Sequence, residues 1–402
     1  MSNSRRSQRA HRSRPSSRST RAFVAAGTAV AVGVALGVTA WVQGWPPFGS
    51  ESVSTAVQPA ADGAPTSTAD GSPTAALGSP AATTASPTGS GTATKSATAT
   101  KSAASGPASK PGTGTGKVSQ RPRGGTVLVA AVGDIACDPS SSAWNNGAGS
   151  GLRCRHQAVA DQIARKNPAA FFALGDNQYD NGTLAAYQKS YDKAFGRFRS
   201  ITRPVVGNHE YHVAGAAGYF DYFGSRAGTR GKGWYSFDIG AWHVVALNAN
   251  CGEVGCKSGS EQERWLRADL AAHPSRCTLA MWHQPRWSSG SEHGDSTSTD
   301  ALVRALYDNH VDVLLSGHDH DYERFAPQNP SGGLDRARGI RQFVAGAGGK
   351  SLYGVSGETN TEAKNATGVG ALFLSLGPTS YSWQYSNAVG GAYSDSGTTT
   401  CH

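Results

Sequence analysis

From Thr126 onward the chain repeats one event: a short apolar run stops at a side chain able to bind metal, usually just after a glycine. Thr126–Val132 stops at Gly133-Asp134, and Ala169–Leu174 at Gly175-Asp176. Arg203–Val206 stops at Gly207-Asn208-His209, Thr278–Trp282 at His283, and Val313–Ser316 at Gly317-His318. Apolar runs this short, bounded by glycine, read as buried strands. Between them Arg155–Lys166, Ala185–Phe195, Glu261–Ala272 and Ala301–His310 read as helices. Trp234–Ile239 and Trp242–Asn248 read as a hairpin around Gly240-Ala241, and Arg341–Gly346 and Ala371–Leu376 add two more strands. Strands alternating with helices specify an α/β fold, where ligands bind beyond the carboxyl ends of the strands. Glycine at such an end lets the backbone turn sharply and approach a ligand closely.

Asp134, Asp176 with Tyr179, Asn208 with His209, His283, and His318 with His320 are therefore expected in one place. One buried Asp or His needs no more than a structural partner. A set spread over five strand ends needs a cation, because ionisable groups are rarely buried unless paired or bound to metal.

The blocks that carry these residues are GDIA (Gly133–Ala136), GDNQY (Gly175–Tyr179), GNHE (Gly207–Glu210), MWHQP (Met281–Pro285) and GHDHDYER (Gly317–Arg324). In this order they resemble the calcineurin-like metallophosphoesterases, and within them most closely the purple acid phosphatases. Two details favour that branch: Ala136 stands where many members carry a His, and Tyr179 stands three residues after the second Asp. The resemblance implies a four-layer α/β/β/α sandwich of two mixed sheets flanked by helices. It implies one metal on Asp134, Asp176, Tyr179 and His320, and a second on Asp176, Asn208, His283 and His318. It puts Asp176, His209 and His293 in the catalytic step, with Asn208, His209 and His293 facing substrate; His293 is ten residues after His283.

The donor types agree with that division. Hard anionic oxygen at the first site favours Fe(III), while imidazole and amide at the second suit Zn, Mn or Fe(II). Such a pair would carry net positive charge toward a phosphate dianion. The expected reaction is hydrolysis of a small phosphoric monoester by a metal-bridging hydroxide. A phosphodiesterase on nucleotide or phospholipid diesters is the alternative, and a non-catalytic surface-binding protein a remote one.

The first 123 residues differ in kind. Residues 1–21 carry seven Arg and no acid, as a cytoplasmic tail or n-region; 22–42 are small and apolar; 43–123 are mostly Ala, Thr, Ser, Pro and Gly. The 22–42 segment reads as a signal peptide h-region or as an uncleaved membrane anchor. Either reading sends the 124–402 catalytic domain outside the cell or to its surface. The 43–123 stretch reads as a disordered stalk with a span of about 50 Å. The net charge of +9 arises in this region, which holds 13 basic and 3 acidic residues; the remainder holds 24 and 25. The basic excess is thus no folded face, and nucleic acid is not an expected partner. The oligomeric state is open.

All six cysteines follow Gly124, which in an exported domain suggests disulfides. Six cysteines allow fifteen pairings. Proximity suggests Cys137–Cys154 and Cys251–Cys256, leaving Cys277 for Cys401, with a metal site as the other reading of Cys251 and Cys256. Glu210 and the Glu323-Arg324 pair are expected either to support the histidine ligands as an ion pair or to be surface charge. Asp180 and Asp321 are expected to orient ligands or face solvent. His243, and the partnerless His156, His212, His273 and His310, are expected to be structural. The loops 138–151, 180–183, 213–233 and 287–298 are expected to line the cleft, and Gly346–Gly349 to turn near it.

Overall fold

The computed structural model describes residues 124–402, so the 1–21, 22–42 and 43–123 segments lie outside the described residues. Among the described residues no helix is long and apolar enough to cross a membrane.

Among the described residues thirteen strands build two sheets. Their bounds are β1 Val127–Val132, β2 Ala170–Leu174, β3 Thr202–Val205, β4 Tyr235–Ile239, β5 Trp242–Ala246, β6 Cys277–Met281 and β7 Val313–Ser316. They continue as β8 Tyr322–Phe325, β9 Arg341–Ala345, β10 Thr361–Asn365, β11 Gly368–Leu376, β12 Ser380–Gly390 and β13 Ser394–Thr400. The first sheet runs β13-β12-β11-β1-β2-β3 and the second β10-β8-β9-β7-β6-β5-β4. Both are mixed: β1, β2 and β3 run parallel, as do β5, β6, β7 and β9, and antiparallel strands flank them.

Side-chain alternation explains the four layers. Val129, Ala131, Phe172 and Leu174 face Val244, Leu279, Leu315 and Phe343 of the other sheet in a shared core. Their neighbours Ala130, Val132, Phe171 and Ala173 pack outward against Val159, Ile163, Tyr187, Tyr191 and Phe195 of the helices on that side. On the far side Val245, Ala280, Leu314 and Val344 pack against Leu266, Leu270, Leu302 and Leu306. Burial on both faces is why these strands are continuous apolar runs. The helix Glu261–Ala272 starts where the Ser260 hydroxyl accepts from the Glu263 amide.

The structure adds elements where composition gives a weak signal. β13 is Ser/Thr/Gly-rich (SDSGTTT) and forms an edge through the register Trp383↔Gly397. The expected helix 185–195 is helical throughout but takes a π-turn at Tyr187–Tyr191. The 213–233 segment, expected to line the cleft, instead forms the helix Ala217–Phe223, which sinks Tyr219, Phe220, Tyr222 and Phe223 into the outer core.

The two proximity pairs, Cys137–Cys154 and Cys251–Cys256, and the remaining pair Cys277–Cys401 are the disulfides present. The last spans 124 residues and ties the chain end after β13 to β6, joining the two sheets. Closing a loop of this order restricts the unfolded chain by about 4–5 kcal/mol in the chain-entropy model. The double variant Cys277→Ala/Cys401→Ala should lose much of that in denaturant unfolding. Unchanged stability would show that the strand pairing alone holds this end.

His243 is buried, with Nδ1 2.9 Å from Asp238 Oδ1 and Nε2 2.8 Å from Asp269 Oδ2. Burial opposes its charge, but the hydrogen bonds to Asp269 and Asp238 raise its pKa above the ordinary 6.5. A raised folded value means the network contributes fully below about pH 6.5 and fades as pH rises through that value. Asp269 shifts downward: burial opposes this, and the His243 bond dominates. Its contribution is complete above about pH 4 and fades in acid. His243→Gln should therefore flatten the decline of stability as pH rises above about 6.5. Parallel curves for the two proteins would refute this.

Candidate metal centre

The site sits where the carboxyl ends of β1, β2, β3, β6 and β7 meet. Three of its residues leave their strands in left-handed backbone: Asp134 at φ 60°, Asp176 at φ 44° and His318 at φ 76°. Non-glycine residues rarely adopt this conformation, and they persist in it where the surroundings over-determine it. Here the neighbouring glycines make the room. A Cβ on Gly207 would lie 2.1 Å from Asp176 Oδ1, and one on Gly317 2.6 Å from Asp134 Oδ2.

Tyr179 Oη is the centre of one cluster. It lies 2.8 Å from Asp134 Oδ1, 2.9 Å from Asp176 Oδ2 and 2.9 Å from His320 Nε2. A phenol has one proton, so it can donate to one of the two carboxylates; the other oxygen pair meets lone pair to lone pair. Burial, then Asp134 and Asp176, push the Tyr179 phenol well above its ordinary pKa. A cation among these oxygens would remove the conflict and release that proton.

Asp176 continues into a second cluster. His283 Nε2 lies 3.3 Å from Asp176 Oδ2 and 3.2 Å from His318 Nδ1. His283 Nδ1 donates to the Leu174 carbonyl at 2.8 Å, which aims the Nε2 lone pair at these neighbours. Burial disfavours an imidazolium here, yet Asp176 raises the His283 pKa to about 10. Burial, with His283 and His293, lowers His318 to about 2. A proton held between buried acceptors occupies the position a metal ion would take. Asp176, His283 and His318 offer ligand atoms within 4.8 Å of one another. Asn208 adds the deciding detail: its Oδ1 is buried and has no hydrogen-bond partner. A buried carbonyl without a donor fits a metal ligand.

The donors of both clusters thus fit two cations sharing Asp176, with Asp134, Tyr179 and His320 on one side and Asn208, His283 and His318 on the other. The His209 ring lies tilted against Tyr179 at 4.3 Å between ring centroids, and His293 stacks on His318 at 3.9 Å. All eight sequence-selected positions, with His293 as the ninth, gather here.

Other residues at the site carried little sequence signal. Glu210 is not surface charge: it is fully buried and accepts from the Gly207, Asp176, Asn177 and Gln178 amides and the Tyr187 hydroxyl, at 2.7–3.2 Å. It therefore clamps the loops after β2 and β3 together. Burial and the nearby Asp176 raise its pKa to about 7. Glu323 and Arg324 do not pair with each other. They are adjacent on β8 and point to opposite faces. Glu323 binds Ser288 and Ser289, and Arg324 binds Asp395 and Glu362. Asp321 is fully buried rather than solvent-facing, and burial pushes its carboxyl up. Asp180 holds His209 and His212 on its carbonyl oxygen, at 2.7 and 2.9 Å, and Lys350 on its carboxylate. His212, expected to be structural, thus reaches the site. The turn after β9 contributes Ser351 to His320 Nδ1 at 2.8 Å, and Tyr353 stacks on the His320 ring at 3.9 Å.

Residues 127–322 match the family model "Calcineurin-like phosphoesterase". They form a calcineurin-like phosphoesterase domain. Purple acid phosphatase 15 of Arabidopsis thaliana is 31% identical over 211 residues, covering 43% of this chain and 39% of that protein. The uncharacterized protein Rv2577 of Mycobacterium tuberculosis is 30% identical over 215 residues, covering 43% and 38%. The chain therefore spans less than half the length of these relatives. A purple acid phosphatase from yellow lupin (Lupinus luteus) seeds superposes with a TM-score of 0.57 at 20% identity, covering 69% of this chain and 54% of that one. That likeness shows that the phosphoesterase domain has the same fold.

Glu210→Gln would turn amide hydrogens toward the amides that Glu210 now accepts from. Metal affinity should fall about 10–100-fold, as for other groups that orient ligands, read by metal competition and bound-metal content. Undiminished metal retention would remove this role.

Proposed function

We propose that the domain hydrolyses phosphoric monoesters with two metal ions held across Asp176. The observation that carries the reading is the crowding around that carboxylate, with the single Tyr179 proton facing two carboxylates on one side and a proton held at His283 on the other, beside the unpartnered Asn208 carbonyl. Asp134, Asp176, Tyr179 and His320 would hold Fe(III); Asp176, Asn208, His283 and His318 would hold Zn, Mn or Fe(II). When bound, the ions would neutralise phosphate charge and activate a water.

The protein side of the chemistry follows from hydrogen bonding. A carbonyl oxygen only accepts, so His209 Nδ1 carries the hydrogen that meets the Asp180 carbonyl. That fixes the tautomer and leaves His209 Nε2, 3.9 Å from Asp176 Oδ2, to hold or deliver a proton at the leaving oxygen. The His209 amide donates to Asp176 Oδ1 at 2.9 Å, so imidazole and carboxylate keep one mutual position. His293, stacked on His318, would add a donor to the phosphate. Three disulfides favour work in an oxidising compartment, to which the 1–42 segment would deliver the domain at or beyond the cell surface.

The test uses the full chain, exported with its disulfides and loaded with iron and zinc. Turnover of a nitrophenyl phosphate monoester is compared with that of its matched phenyl diester. Monoester preference, abolished in Asp176→Asn together with binding of the metal pair, is expected. Diester preference would replace this reading with a phosphodiesterase. No turnover of either with both metals bound would leave a binding protein.

A further inference from the structure

A groove of about 500 Å³ opens beside Asn208, lined further by Tyr211, His212, Glu253, Gln284 and Ser298 and by the 249–252 backbone. None of the four loops assigned from sequence supplies its inner wall. That wall is the turn after β5, the short helix Cys251–Val254, from which the chain departs at Gly255 with φ 74°. The Cys251–Cys256 disulfide closes this turn on itself, and Cys251 Sγ rests 3.5 Å from the Ser298 carbonyl across the groove. Glu253 is thus carried on a cross-linked turn.

The charge of the lining is one-sided. Gln284 Nε2 donates to Asn250 Oδ1 at 3.0 Å, which leaves Gln284 Oε1 buried with no donor. Asn250 is itself committed, its Nδ2 donating to Asn248 Oδ1 and the Val206 carbonyl. The Tyr211 hydroxyl accepts from Asn248 Nδ2 at 2.8 Å, which holds the ring as a wall. His212 spends its Nδ1 hydrogen on the Asp180 carbonyl. Among the described residues no Lys or Arg lines the groove, and Glu253 carries its formal charge. A carboxylate and an aromatic ring in a groove without Lys or Arg suit a ligand that carries positive charge. They disfavour one bearing a second anionic group.

We propose that this groove is the leaving-group subsite and that it selects monoesters of ammonium-bearing alcohols, with Glu253 as the residue that sets the preference. The inference rests on the monoesterase reading above. With the phosphate at the Asp176 cluster, the alcohol portion would extend past Asn208 into the groove, its cation toward Glu253 and Tyr211. Because Glu253 is exposed, the discrimination it adds is modest and screened by salt.

The test compares choline phosphate with its uncharged isostere 3,3-dimethylbutyl phosphate on the metal-loaded full chain, read as the ratio of their kcat/KM values. A ratio of about 5 in favour of the cationic ester at low ionic strength is expected, shrinking as salt is added. Glu253→Gln should bring the ratio close to about 1, and Glu253→Lys should reverse it. A wild-type ratio near unity, or a preference that survives both substitutions, overturns the inference. Turnover of nitrophenyl phosphate without turnover of either ester also overturns it while leaving the monoesterase reading intact. Loss of all three activities with metals bound defeats both.

Discussion

The position of one carboxylate organises the open end of this domain. Asp176 faces Tyr179 with one oxygen, shares that oxygen with His283 from the other sheet, and takes the His209 amide on its second oxygen. Its own amide is held by Glu210. Burial works against its charge, and His283 and His209 nevertheless keep it well below the usual carboxylate range. Two sheets that share an apolar core thus meet again through a buried ionic contact, and the loops after β1, β2, β3, β6 and β7 must all adjust to it.

That requirement explains the backbone. Side chains that converge from five strands need their Cα atoms brought close, and this is possible only where neighbours lack a Cβ. Gly175 would place one 2.5 Å from His283 Nδ1, and Gly346 would place one 2.8 Å from Asp134 Oδ2. Left-handed Asp134, Asp176 and His318 follow from the same crowding. Each costs on the order of 1 kcal/mol or more, and the surrounding hydrogen bonds and core must offset it.

The parts legible in the sequence are those set by local pattern. Strands buried on both faces announce themselves as apolar runs, and side chains able to bind metal stand at their ends, so the pattern alone brings Asp134, Asp176, Asn208, His283 and His318 together. Tyr179 and His320 stand within three residues of Asp176 and His318 and are gathered with them, while their division between two metals needs the family likeness. The rest was hidden for physical reasons. β13 is polar because it is an edge strand. Glu210 has the appearance of any charged residue after a motif, and its role depends on amides brought in from two loops. Glu323 and Arg324 are neighbours in sequence, but the strand period of two sends them apart. The turn after β5 has no motif, and only the fold places it along the groove beside Asn208.

The disulfides divide along the same line. Cys277–Cys401 lies at the end of the sandwich where β6 begins, far along that strand from His283, and fastens a polar edge to the core. Cys137–Cys154 and Cys251–Cys256 lie just past the carboxyl ends of β1 and β5. Cys137 also offers its carbonyl to Gln178 Nε2 and Ser190 Oγ, so the first of these reaches the loop that carries Asp176 and Tyr179. Gln178 in turn accepts from the Tyr191 amide within the π-turn. Strained loops that carry ligands cannot draw stability from regular strand pairing. Here they take it from cross-links and from one buried carboxylate, Glu210, which leaves the donor atoms of the candidate ligand side chains facing one another.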